Sequence, residues 1–163
     1  MNIRPATPAD APQMVALLNA IVAKGGTTAH QRPFDEARMV AHYIASPFSL
    51  CCHVAEEEGR ILGFQALDWP DPAYGPAPEG WGFIATFVDG EAAGKGVGRA
   101  LFEATREAAR KAGMVAIDAT IRADNASGLG YYSKMGFVDY DRATGVPLRD
   151  GTKVDRIMKR YDL

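Results

Sequence analysis

The segment Gly94-Lys95-Gly96-Val97-Gly98-Arg99 sets three glycines at alternate positions directly ahead of an amphipathic run. Residues without side chains at a helix start leave the first N–H groups of that helix uncovered. Those groups have no acceptor inside the helix, and they lie at the positive end of its dipole. The chemistry such a place offers is the holding of an anion, phosphate above all. Two familiar phosphate loops fail on spacing. A GxxxxGK[ST] loop needs Ser or Thr after its lysine, and Lys95 is followed by Gly96. A GxGxxG loop needs its third glycine where Arg99 stands, and here Gly98 comes one residue early. The strand leading in is also the fourth of the chain, whereas a dinucleotide fold uses a strand near the start of a parallel sheet.

The glycine segment has to be held between a strand and a helix, and the sequence supplies both. Trp81 to Val88 is apolar and rich in β-formers; Val97, Leu101, Ala104, Ala108 and Ala112 then recur at helical spacing until Gly113. Upstream, Ile3 to Ala6 reads as a first strand. Thr7-Pro8-Ala9-Asp10 reads as a capped helix start with proline at the first helical position, and Lys24-Gly25-Gly26 as its end. After a polar connector from Thr27 to Pro33, Asp35 caps a second helix that Ser46-Pro47 closes. Leu50 to Glu56 and Arg60 to Leu67 form a hairpin around Glu58-Gly59, followed by a loop from Asp68 to Gly80. Val115 to Ile121 is a strand, Asn125 to Met135 a short helix, and Phe137 to Tyr140 with Val154 to Tyr161 a final antiparallel pair. The order β-α-α-β-β-β-α-β-α-β-β predicts an α/β fold: a mixed, mostly antiparallel sheet with helices on both faces and one parallel connection.

The chain of 163 residues suits one domain, residues 1–163, with a substantial core. Eighteen basic against 20 acidic residues, a formal net charge of −2, supply no field for nucleic acid or anionic membrane. No apolar run reaches the length of a membrane span and the first residues lack a secretory pattern, so the expectation is a cytoplasmic protein. The two cysteines, Cys51 and Cys52, are adjacent and would point to opposite faces of a strand. With three histidines and neither CxxC nor HExxH, no metal site is expected.

The stretch from Phe87 to Leu101 resembles the acetyl-CoA-binding motif of the GNAT acyltransferases, [R/Q]-x-x-G-x-[G/A] after a strand ending in valine. A second block, Asn125 through Tyr131-Tyr132-Ser133-Lys134-Met135-Gly136-Phe137, resembles the same family's Asn, aromatic-Tyr and Lys-x-Gly-Phe pattern, and the opening Ile3 to Asp10 is similar to its start. Two positions depart from the pattern: Ala93 stands where the family has Arg or Gln, and Gly90 where it has proline. The resemblance implies the GNAT fold and N-acetyl transfer from acetyl-CoA to an amine by direct attack. It implies that N–H groups from Gly94, Lys95, Gly96, Val97, Gly98 and Arg99 hold the pyrophosphate. It also implies that backbone near Phe87 and Val88 pairs with pantetheine where two strands part at a bulge, that Asn125 touches the pantetheine arm or caps its helix, and that Tyr132 is the general acid. Tyr131 reads as core. A homodimer is an expectation carried by the family alone.

The acceptor is less determined. Trp81 to Phe87 contains no carboxylate to act as base; Asp68, Glu79, His30 or a water chain stay open for that role. The connector Thr27 to Phe34 and the loop Asp68 to Gly80 are the expected acceptor walls. Gly25-Gly26-Thr27-Thr28 is similar to the phosphinothricin and methionine-sulfoximine acetyltransferase branch, which implies a small amino-acid-like amine. A binding module that keeps CoA without turnover is the alternative of a different class.

Overall fold

A computed structural model describes residues 1–163. Seven strands form one sheet: β1 (Asn2–Pro5), β2 (Ser49–Glu57), β3 (Arg60–Asp68), β4 (Trp81–Val88), β5 (Ala116–Arg122), β6 (Val138–Pro147) and β7 (Lys153–Asp162). Their spatial order is β1-β2-β3-β4-β5-β7-β6, and only β4 and β5 run parallel. Helix α1 (Ala11–Lys24) and the short α2 (Glu36–Met39, continued by a wider turn over Val40–Ile44) lie on one face. Helices α3 (Val97–Lys111) and α4 (Ala126–Met135) lie on the other. The expected mixed α/β architecture is therefore the one observed, and no helix is long and apolar enough to cross a membrane.

The two faces follow from strand alternation. On β3, Phe64 and Ala66 join Met14, Leu18 and Met39 beneath α1 and α2, while Leu67 joins Phe102, Ile117 and Phe137 beneath α3 and α4. Cys52 packs in the first cluster and Cys51 against the second, as their adjacency requires. The helix entry at Thr7 is held as the sequence predicts: the Thr7 N–H donates to Asp10 Oδ2 at 2.8 Å, and Arg4 clamps both oxygens of Asp10 at 2.8 Å.

Three details depart from expectation. The buried stripe of α3 is Val97, Leu101, Phe102, Thr105 and Ala109, not the alanines 104, 108 and 112. Alanine suits either side of a helix, so the bulky Phe102 decides the rotation. Strands β6 and β7 are longer than Phe137–Tyr140 and Val154–Tyr161. Gly145 and Pro147, which read as loop, are accommodated because β6 is an edge strand whose register slips between Ala143 and Val146. Finally, no bulge interrupts the β3–β4 ladder, which runs in unbroken register from Asp68–Phe83 to Gly63–Val88.

That ladder is tight at Gly63, where an added Cβ would stand 2.9 Å from the Phe87 carbonyl oxygen and 3.1 Å from Val97 Cγ1. The nearest obstacle is backbone and cannot rotate away. Gly63→Ala is expected to cost about 1–3 kcal/mol by overpacking, read as a lowered urea midpoint with an unchanged m-value.

Candidate active site

Strand β4 pairs with β5 over only three rungs, Trp81–Ala116, Gly82–Ile117 and Phe83–Asp118. Beyond Phe83, β4 stays with β3 while β5 stays with β7 as far as Arg122–Arg156, and the sheet opens between them. The hydrogen-bond phase of each ladder shows which groups face the opening. The Asp89 N–H donates to the Leu62 carbonyl at 2.8 Å, so by alternation Phe87 and Ala85 also direct their backbone to β3. Thr86 and Val88 therefore face the gap. On the far side, Ala123 donates to Asp155 at 2.8 Å, which by the same alternation turns Thr120 and Arg122 toward the gap. This changes the expected strand contact. Val88 stays, but Phe87 spends its backbone on Phe64 and its ring in the core under α1 and α2, and Thr86 takes its place.

At the open end of β4 the glycine segment is tethered before it turns. Asp89 Oδ1 accepts from the Glu91 N–H at 3.0 Å, Arg60 reaches Asp89 and Glu91, and Ala92 is buried under α3. Gly94 and Gly96 then have φ of +80° and +74°, which residues with side chains seldom adopt. The N–H groups of Gly94, Gly96, Val97, Gly98 and Arg99 have no acceptor within the protein, and the first helical bond is from Ala100 to Gly96 at 3.1 Å. Lys95 is the exception to the expected run, because its N–H closes a turn on the Ala92 carbonyl at 3.3 Å. Its side chain, like that of Arg99, is exposed beside the loop. Gly98 has a further role: an added Cβ would meet Tyr131 Cε1 at 2.6 Å, and the Tyr131 hydroxyl donates to the Gly98 carbonyl at 2.7 Å. Tyr131 thus fastens α4 to the start of α3 rather than merely filling core.

Tyr132 is buried, packed against Phe137, with its hydroxyl 2.9 Å from Thr86 Oγ1 on the splayed half of β4. Burial raises its pKa well above the ordinary tyrosine value, so the phenol is protonated through the neutral range. Gln65, fully buried on β3, donates through Nε2 to Thr86 Oγ1 at 2.9 Å and to the Tyr131 hydroxyl at 3.0 Å. Sequence reading passed over Gln65 and Thr86. The available signal was a lone amide in the otherwise apolar run from Ile61 to Leu67. Asn125 caps α4, its Oδ1 accepting from Gly128 at 2.9 Å, and its Nδ2 holds the Thr27 carbonyl at 3.0 Å.

A cavity of about 640 Å³ adjoins the end of β5. Thr28, His30 and Gln31 of the connector line it, together with Arg122 and the β6–β7 turn at Arg149 and Asp150. The loop from Asp68 to Gly80, expected as an acceptor wall, does not line this cavity; it sits at the closed end of β4, and the β6–β7 turn forms the cavity's second wall. Glu79 is exposed in that distant loop. Asp68 lies in the rung with Phe83, its pKa lifted to about 6 by burial and by Asp71. His30 accepts or donates at the Tyr43 hydroxyl at 2.6 Å, and burial, reinforced by His42 and Arg38, lowers its pKa to about 4.

Residues 17–137 match the model of the Acetyltransferase (GNAT) family. An L-methionine sulfoximine/L-methionine sulfone acetyltransferase of Pseudomonas paraeruginosa is 31% identical over 145 residues, 83% of this chain and 79% of that one. Among solved structures, a ribosomal-protein-alanine N-acetyltransferase from Brucella melitensis superposes with a TM-score of 0.84 at 24% identity over all of both chains. A GNAT superfamily phosphinothricin acetyltransferase from Sinorhizobium meliloti, in complex with AcCoA, superposes with a TM-score of 0.83 at 21% identity, covering 99% of this chain and 88% of that one.

The His30 shift has a definite sign. The unfolded imidazole binds a proton near pH 6.5 and the folded one only near 4, so stability falls as pH drops through that window. His30→Gln should flatten the loss of Tm between about pH 6.5 and 4 relative to the parent, as followed by thermal melts in matched buffers.

Proposed function

Since the chain belongs to the Acetyltransferase (GNAT) family and is an acetyltransferase, we propose that it moves the acetyl group of acetyl-CoA to the amine of a small molecule, with Tyr132 as general acid. The observation that carries this reading is the opening between β4 and β5, bounded by unpaired N–H groups at one end and by the Tyr132 hydroxyl against Thr86 deeper in. The N–H groups of Gly94, Gly96, Val97, Gly98 and Arg99 hold the pyrophosphate without help from a side chain at Ala93. Val88 and Thr86 offer backbone to the pantetheine amides, and a strand N–H polarises the thioester carbonyl and takes up the oxyanion charge. The acceptor gives up its ammonium proton to water before attack. The amine nitrogen forms its bond to the carbonyl carbon, the carbon–sulfur bond breaks, and the Tyr132 proton goes to the departing thiolate. The remaining proton on nitrogen leaves to water, from which Tyr132 is reprotonated. No covalent bond to the enzyme forms.

The cavity beside Arg122 supports a small acceptor. Neutral His30 places no positive charge against an incoming ammonium. Arg122 is paired with Asp124 at 2.8 Å, whereas Arg149 has no carboxylate partner and can meet an acidic group on the acceptor. The methionine sulfoximine acetyltransferase likeness points the same way, toward an amino-acid-like amine.

Two variants test the reading. Tyr132→Phe should lower kcat by about a hundredfold with acetyl-CoA affinity nearly unchanged; an unaltered kcat removes Tyr132 from the acid role. In thermal melts, acetyl-CoA at a hundredfold excess over Kd should stabilise the parent by about 2.7 kcal/mol. Gly96→Glu should lose that stabilisation, because a carboxylate then occupies the anion site; retained stabilisation would sink the loop assignment. Thiol release across a panel of amines separates enzyme from binding module. Tight acetyl-CoA binding without release for any amine favours the module, to which the absence of a carboxylate on β4 also belongs.

A further inference from the structure

We propose that Gln65 is a positioning residue that aims the Tyr132 proton into the gap between β4 and β5, by fixing the direction of a buried chain of hydrogen bonds. The inference rests on the general-acid reading of Tyr132. The chain runs from the Gly98 carbonyl through the Tyr131 hydroxyl, the Gln65 carboxamide and the Thr86 hydroxyl to the Tyr132 hydroxyl. Proton counting fixes its polarity as far as Thr86; at the last bond either hydroxyl could donate, and Thr86 has no other side-chain acceptor for its proton. Tyr131 has one hydroxyl proton, and a carbonyl can only accept, so that proton goes to Gly98. Tyr131 must then accept from Gln65, which requires the Nε2 side of the carboxamide to face it. The second Nε2 proton goes to Thr86 Oγ1. Thr86 in turn holds one proton, and its remaining hydroxyl partner is Tyr132. When Thr86 donates to Tyr132, every hydroxyl proton in the chain is used except that of Tyr132, which is left to point away from Thr86.

One cost marks this arrangement. Gln65 Oε1 is buried and has no partner. Rotating the amide by half a turn would offer Oε1 to Thr86 and Tyr131, but Tyr131 has no second proton to give. The orphaned oxygen is the consequence of presenting both N–H groups to the two hydroxyls. Gln65 is fully buried and faces α3 and α4 with Leu67, so nothing from solvent relieves it.

The near-isosteric Gln65→Glu tests the direction of the chain. An ionised carboxylate only accepts, so Thr86 would turn its proton to residue 65 and Tyr132 would donate to Thr86, away from the gap. The expected result is a fall in kcat of about tenfold or more, with the KM for acetyl-CoA within about twofold of the parent. The deficit should shrink as pH is lowered, because a protonated buried glutamic acid can again donate to Thr86. Thr86→Val, which keeps shape and removes the hydroxyl, should also lower kcat, and it decides the matter if Gln65→Glu does not fold. In a Tyr132→Phe background neither change should lower kcat further. Parental kcat in Gln65→Glu even at the alkaline end of the pH range, a pH-independent deficit, or an equal loss in the Tyr132→Phe background overturns the proposal. A parental kcat in Tyr132→Phe itself would instead overturn the general-acid reading beneath it.

Discussion

The brevity of the β4–β5 pairing is the constraint on which the site depends. Neighbouring parallel strands normally pair along their shared length, yet here the pairing stops after Phe83–Asp118. Neither strand is loose, because each is held on its other side by a full antiparallel ladder. The result is backbone of one sheet presented to a ligand with the rigidity of sheet, a precision that a loop of the same composition would lack.

The uncovered N–H groups and the Tyr132 hydroxyl that bound this opening are supplied by successive helices packed on one face. Helix α3 begins at the uncovered glycines, and α4 carries Tyr131 and Tyr132. The two tyrosines divide the work between them: one hydroxyl is committed to Gly98 and the other to Thr86. Burial of both rings keeps both phenols protonated, which suits a hydrogen-bond chain with one direction.

Much of this was legible in the sequence, and the illegible parts have common causes. The glycine segment and the Asn125–Phe137 block are local patterns, so the uncovered N–H groups ahead of α3, the cap at Asn125 and the placing of Tyr132 near the opening could be read directly. What could not be read is register across strands. Phe87 rather than Thr86 was expected at the gap because the phase of the β3–β4 hydrogen bonds is set by partners some 25 residues away in sequence, such as Leu62 for Asp89. Gln65 meets Tyr131 across 66 residues, a separation with no local signature. The wall of the cavity beside Arg122 was half found. The connector after α1 was recognised, but the Arg149–Asp150 turn joins strands whose extension there comes from edge pairing rather than from their own residues.

The connector between α1 and α2 does more than line a cavity. The carbonyls of Thr27 and Thr28 are held by Asn125 and Arg122, and Gln31 accepts from the Asp150 N–H. Its ends belong to α1 and α2, which pack with Phe64 and Phe87 on the β3–β4 half, and these bonds tie its middle to the β5–β7 half, so it bridges the parted sheet. Insertions here would change the width of the opening between β4 and β5 along with the shape of the cavity beside Arg122. The two cannot be reshaped independently through this connector, whereas side-chain replacements at fixed connector length alter the cavity alone.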